Sequence, residues 1–158
     1  SRSLQRGFFT RGKCNGFMAK QEMLFQRFYL SHGSKRLIYR IQLSEERVLF
    51  FTHLSLKKDV RQLQLQELRV MADNEQAQVI IAGDFNIFAG LDELNLLLGD
   101  GKYMLANDRA RATFRLFGRK YLLDLCIVSS GLAGKVQVEV IDQPFSDHDA
   151  LLIHVEGE

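Results

Sequence analysis

Residues 46–86 read ERVLFFTHLSLKKDVRQLQLQELRVMADNEQAQVIIAGDFN, and this stretch decides the fold. Its first block, 46–53, carries a continuous apolar run, as a strand buried on both faces would. Residues 57–73 change period. Val60, Leu63, Leu68 and Met71 fit one helical face, and Gln and charged residues fill the rest. QVIIAG, residues 78–83, reads as another fully buried strand. Upstream, residues 15–20, 24–30 and 35–43 read as strands, the last alternating Leu37, Tyr39, Ile41 and Leu43. Downstream come a short helix over 91–98 ending at Gly99 and strands over 121–129, 135–141 and 149–155. Residues 1–14 read as irregular. This order predicts a mixed α/β layered fold with helices packed on a sheet.

Composition sets the outer limits. A chain of 158 residues, 46% apolar and 25% charged, fits one domain over 1–158 with a real core. It excludes collagen-like, acidic and low-complexity disordered chains. A single Pro excludes long Pro-rich linkers. No apolar run approaches the roughly 18 residues of a membrane-spanning helix, and no signal-peptide pattern is visible. The expectation is a cytoplasmic protein without a transmembrane segment. Cys14 and Cys126 have no metal-binding spacing and read as free thiols in a reducing compartment, with a bridge as the alternative. Charge is uneven: residues 1–40 hold nine Lys/Arg against one acid. A second cluster gathers Arg109, Arg111, Arg115, Arg119 and Lys120. An acidic site framed by basic segments suits a phosphorylated substrate, and a solvated basic face is the plainer explanation.

Three strand-end positions carry chemistry. In Gly83-Asp84-Phe85-Asn86, alternation puts Asp84 and Asn86 on one side and Phe85 on the other. A carboxylate and a carboxamide then face one pocket, although Gly-Asp and Asn also make ordinary turns. In Ser146-Asp147-His148, Asp147 can bind a metal and His148 can move a proton near neutral pH. Thr52-His53-Leu54 ends its strand with a His that serves either structure or function. Asp124, inside YLLDLCIV, needs a nearby cation or His. His32 and His154 read as structural or solvent-facing. No Walker loop, HExxH motif or nucleophile elbow is present.

Together these residues resemble the endonuclease/exonuclease/phosphatase superfamily. The motifs Thr52-His53-Leu54, Gly83-Asp84-Phe85-Asn86, Thr113-Phe114 with Leu123-Asp124, and Ser146-Asp147-His148 appear in the family's order. Asn15 to Lys20 resembles a family strand as well. The resemblance runs from Asn15 to Val155. It implies a two-sheet α/β sandwich whose site at the strand ends uses Mg²⁺ or Mn²⁺ to cleave phosphate esters by water attack. By that resemblance Asp84 orients the nucleophile or contacts the metal, and Asn86 bonds a phosphoryl oxygen. Asp147 contributes to the metal environment. His148 is the acid/base group, oriented by Asp124, and His53 is a second transition-state contact. Arg115, which stands where the family often has Pro, is expected to bind substrate.

The family's principal metal ligand is the Glu of a Gln-Glu pair that precedes the segment matched by Asn15 to Lys20. Here Gln21-Glu22 follows that segment and reads as a decoy. The expectation is a domain incomplete at its N-terminus, with strands of the first sheet and the Glu supplied by a missing part. The expected function is a metal-dependent phosphodiesterase of nuclease-like type. The alternatives are a sphingomyelinase-like lipid phosphodiesterase, an inositol phosphate phosphatase and a non-catalytic anion-binding module. The expected partner is a phosphate-containing substrate (nucleic acid, lipid headgroup or small phosphoester), with no stable protein partner. No interleaved basic–aromatic groove requires nucleic acid, and no amphipathic basic helix requires a membrane.

Overall fold

The computed structural model describes residues 15–157. The readings of residues 1–14, Cys14 among them, lie outside the described residues. Three antiparallel neighbours come first: β1 (Phe25–Tyr29), β2 (Leu37–Ser44) and β3 (Arg47–His53). Helix α1 (Lys58–Asp73) then carries the chain to β4 (Gln78–Asp84), which lies parallel to β3. A parallel pair needs such a crossover, and the helical period of 57–73 supplies it. A 3-10 turn (Leu91–Leu94) runs into a single helical turn, α2 (Asn95–Leu98). The short β5 (Tyr103–Leu105) follows, then the hairpin β6 (Phe114–Leu116) and β7 (Arg119–Tyr121). β8 (Asp124–Ser129) and the ribbon of β9 (Val136–Ile141) and β10 (Ala150–Val155) complete the order.

The main sheet has the order β1-β2-β3-β4-β8-β5. One face packs on α1 and α2: Ile38, Val48, Phe50, Val79, Ile81 and Ile127 meet Leu65, Leu68, Ala72 and Leu97 in the larger core. On the other face Ile80, Cys126 and Val128 meet Val136, Val138, Ile153 and Val155 of the β9–β10 ribbon in a smaller core. The result is the mixed, layered α/β architecture that the sequence predicts. The ribbon covers only part of its face. Toward β1 the same face presents Phe25, which is 48% exposed; Phe17 packs edge-on against both Phe25 and Tyr39.

Several local expectations need correction. Residues 15–20 form no strand; Phe17 packs on rings instead of pairing. β3 is fully buried on one face only, because Leu49, Phe51 and His53 lie on the partly covered side. The expected strand over 121–129 is broken at Leu122-Leu123, where the chain passes from β7 to β8. β5 and β6 were not foreseen. On α1, Leu63 is exposed while Arg61 and Gln64 are buried. Each buried polar group has partners. The Gln64 amide donates to the His32 and Lys35 carbonyls at 2.8 and 2.7 Å and accepts from the Ser55 N–H at 2.8 Å. Arg61 forks onto Glu93 and donates to the Ser55 carbonyl at 2.8 Å. These contacts fasten the β1–β2 turn and the loop after β3 to the helix, directly below the end of the sheet that carries the site.

Candidate active site

The site is a row across three strands. In the ladder His53 lies opposite Asp84, and Asp84 lies opposite Asp124. Residues directly opposite share a face, so a His and two Asp side chains project side by side at the C-terminal ends of β3 and β4. His53 Nε2 stands 3.1 Å from Asp84 Oδ2. His148 enters from the loop before β10, and its Nδ1 lies 2.8 Å from Asp124 Oδ2. Four residues separated by up to 95 positions thus become one cluster.

Local structure explains the motifs. After Asp84 the Phe85 N–H donates to the Leu123 carbonyl at 2.8 Å, and the Phe85 ring is fully buried. Asn86 takes φ 53°, a left-handed conformation that Asn tolerates better than most residues. Its N–H donates to Asp84 Oδ1 at 3.0 Å. Its amide donates to the Leu54 carbonyl at 2.9 Å and to Asp84 Oδ2 at 3.1 Å. Both amide hydrogens are therefore engaged, and Asn86 must release Asp84 before it donates to a substrate. Thr113 is fully buried and its hydroxyl accepts from the Leu123 and Asp124 N–H groups at 3.0 and 2.9 Å. The Thr113 carbonyl accepts from Asp149 N–H at 2.8 Å, which ties the His148 loop to the sheet. Phe114 places its ring 4.5 Å from the His148 imidazole and holds it over Asp124.

The two carboxylates diverge in acidity. Burial pushes Asp84 up, but the hydrogen bond from His53, the nearby His charges and the Asn86 N–H outweigh it and hold the carboxyl below its ordinary value. At Asp124 burial dominates, the Asp84 charge adds to it, and the carboxyl sits above its ordinary value despite the bond from His148. One row thus holds two carboxylates of unequal acidity, Asp84 the more acidic and Asp124 the less.

The other foreseen residues fall at the periphery. Asp147 is exposed. Arg115 does not point into the row; its guanidinium forks onto Asp149 at 2.5 and 2.8 Å. Glu22 is exposed ahead of β1. His32 pairs with Glu67 at 2.8 Å and His154 is exposed on β10. The sequence reading missed two neighbours of His53. Lys35, held by Gln64 through its carbonyl, brings Nζ to His53 Nε2, and Asn15 Oδ1 lies 3.3 Å from Nδ1. Lys35 follows a Ser-His-Gly-Ser turn, and no local pattern signals its proximity to His53.

Among the described residues no three His, Cys, Asp or Glu side chains enclose a metal position. Mg²⁺ does not require such a cage, since one or two carboxylates and several waters hold it. Ionised Asp84 and the exposed carboxylate of Asp147 have the oxygen chemistry such an open site needs.

Solved structures share the fold. No curated protein matches the sequence. The cytolethal distending toxin of Haemophilus ducreyi superposes with a TM-score of 0.60 at 16% identity, covering 86% of this chain and 58% of the toxin chain. Truncated TDP2 of Caenorhabditis elegans gives 0.61 at 17% identity, covering 81% and 64%. A mannosyl-6-phosphatase of Bacteroides thetaiotaomicron gives 0.58 at 14% identity, covering 85% and 66%. The chain therefore spans less than two thirds of each of these structures. No helix among the described residues is long and apolar enough to cross a membrane. The profile of the endonuclease/exonuclease/phosphatase family matches residues 19–148, which hold the whole His53, Asp84, Asp124 and His148 cluster, and the chain belongs to that family.

Proposed function

We propose that this chain carries the hydrolytic row of a metal-dependent phosphoesterase that cleaves phosphodiesters in nuclease-like fashion. The observation that carries the reading is the row itself: His53, Asp84 and Asp124 on adjacent strands, with His148 bonded to Asp124. Phosphoryl transfer needs positioning and charge stabilisation more than covalent chemistry, and the row supplies both. Asp84 stays ionised and orients the attacking water. Asp124 accepts the bond from His148 Nδ1, fixes the imidazole and leaves Nε2 to exchange a proton with water or leaving group. His53 and Lys35 give the opposite side of the row its donors. Asp84 and Asp147 would hold a Mg²⁺ or Mn²⁺, which polarises the phosphate or acidifies its water when bound.

We take the chain to be the C-terminal part of a longer domain. The partly covered sheet face and the coverage of under two thirds of the compared structures support that reading. Cys126, a buried free thiol, is in keeping with a cytoplasmic setting. The test is hydrolysis of bis-p-nitrophenyl phosphate by the full gene product with Mg²⁺, Mn²⁺ or EDTA. EDTA should abolish turnover, and His148→Ala should lower it by roughly 10²- to 10⁴-fold, the range for general acid–base groups. Asp84→Ala should be at least as severe. Full activity in both variants overturns the reading.

A further inference from the structure

The β6–β7 hairpin displays a feature that the hydrolytic row does not use. Leu116 pairs with Arg119, so the loop is only Phe117-Gly118. Both loop residues have positive φ, 46° and 76°. That is the primed two-residue turn, which favours Asn-Gly. A Phe at its first position is strained, and the ring gains nothing from burial: Phe117 is 97% exposed. A second ring, Phe145, is 99% exposed three residues before His148.

A half-open cavity of about 360 Å³ opens at the base of this hairpin, lined by Arg109, Arg111, Arg115, Lys120, Asp142 and Asp149. Arg111 and Arg115 are paired with Asp142 and Asp149. Arg109 and Lys120 have no ion pair among the described residues, so the cavity keeps two uncompensated positive charges. It adjoins the row. The Arg115 N–H donates to the Asp147 carbonyl at 2.9 Å, and the neighbouring Phe114 bridges to His148. A ligand reaching from the row to the cavity must carry a second anionic group beyond the scissile phosphate.

We propose that the hairpin and its cationic cavity bind a single-stranded nucleic acid, with Phe117 stacking on an unpaired base and Arg109 and Lys120 holding neighbouring phosphates. The proposal deepens the phosphoesterase reading and rests on it for the place of the scissile phosphate. Sequence-tolerant single-strand binding combines aromatic platforms with a positive groove. The sequence shows no such groove; the fold corrects that reading, because the hairpin sets exposed Phe117 above the cavity of Arg109 and Lys120. A lipid surface fits less well. Phe117 adjoins one exposed apolar residue, Leu116, and is followed by Gly118, Arg119 and Lys120, while Phe145 is followed by Ser146 and Asp147, so neither ring lies in the extended apolar face that insertion needs.

The test is fluorescence anisotropy of a labelled single-stranded 12-mer with the full gene product in EDTA, over a salt series. Phe117→Asn keeps a residue suited to the turn and removes the ring. It should weaken binding roughly tenfold and leave the salt dependence unchanged. The double variant Arg109→Ala with Lys120→Ala should weaken binding and reduce the slope of log K against log salt by about 1.4, at ~0.7 per phosphate contact on single strands. Circular dichroism checks that both variants are folded. Wild-type affinity and slope in both variants overturn the proposal. So does Phe117-dependent sedimentation with phosphatidylserine vesicles in a protein that leaves the oligonucleotide unbound. Inositol hexakisphosphate binding that depends on Arg109 and Lys120, with no oligonucleotide binding, also overturns it. Because binding is read without turnover, a protein that hydrolyses nothing yet shows the expected pattern fails the phosphoesterase reading alone.

Discussion

Gly83 faces Thr52 across the parallel β3–β4 ladder so closely that a Cβ on Gly83 would stand 1.9 Å from the Thr52 carbonyl oxygen. Its φ of 140° is also one that L side chains rarely adopt. The glycine before Asp84 therefore sets the approach of the two strands whose ends carry His53 and Asp84. Gly83→Ala is expected to lower stability by more than about 3 kcal/mol, from overpacking and backbone strain together. Thermal unfolding should show a Tm lower by roughly 6–12 °C. A Tm within a degree of wild type would mean that the strands separate without penalty.

Thr52 itself carries an unsatisfied group. Its hydroxyl oxygen is the buried side-chain atom without a hydrogen-bond partner among the described residues, at 1% residue exposure. Removing an unsatisfied buried hydroxyl at nearly constant shape relieves its desolvation penalty. Thr52→Val should therefore be neutral or stabilise by about 1 kcal/mol in urea unfolding. A loss larger than that would reveal a partner for the hydroxyl.

Arg61 and Glu93 form a buried ion pair, with side chains only 2% and 3% exposed and a contact of 2.5 Å. Glu93 also accepts from the Ala89 N–H at 3.0 Å, so the pair joins the loop after β3 to the loop after Asn86. Glu93→Ala leaves the guanidinium buried without its counter-charge and should cost about 3–5 kcal/mol in chemical denaturation. The double variant Arg61→Met with Glu93→Leu should recover much of that loss. If the single variant alone is neutral, the pair does not hold the two loops.

The acid limb of stability has a defined window. Arg69 donates to Asp100 and pulls its carboxyl down to about 2 from an ordinary 3.8. At Asp73 burial raises the carboxyl, but Lys102, Arg69 and Tyr103 together bring it below its ordinary value. A depressed folded-state pKa means that the unfolded chain binds protons first. The stabilisation is complete above the ordinary carboxylate value and disappears as pH falls toward about 2. Tm should therefore fall between roughly pH 4 and 2, and Asp100→Asn should make that fall shallower. An unchanged pH profile in Asp100→Asn would show that the Arg69 contact is fully screened by solvent.

The central strand–helix–strand unit was legible because each of its segments keeps one period long enough to be distinguished. The hairpin β6–β7 was not, since Phe117-Gly118 carries no Asn-Gly signal and each strand has only three residues. Gln64 belongs to the Gln and charged residues that fill the helix outside its apolar face; only the fold brings it to the backbone groups of His32, Lys35 and Ser55. His53, Asp84 and His148 were visible as polar residues at apolar strand ends, and Asp124 as a carboxylate inside an apolar strand, where an unpaired charge is costly. Lys35 and Arg115 show the opposite limit. Neither the approach of Lys35 to His53 nor the capture of Arg115 by Asp149 has a local signature, because both depend on contacts between distant segments.

The four residues of the row also set an order of events. They come from positions 53, 84, 124 and 148, and no two of them meet until strands distant in sequence have paired. Helix α1 and the β2–β3 hairpin need only local contacts and can form early; the row requires β8 to dock against β4 and the loop before β10 to close over it. A chain diluted from denaturant is therefore expected to regain helical signal before the row is assembled. The lag between the two reports directly on the slow, long-range closure of the sheet.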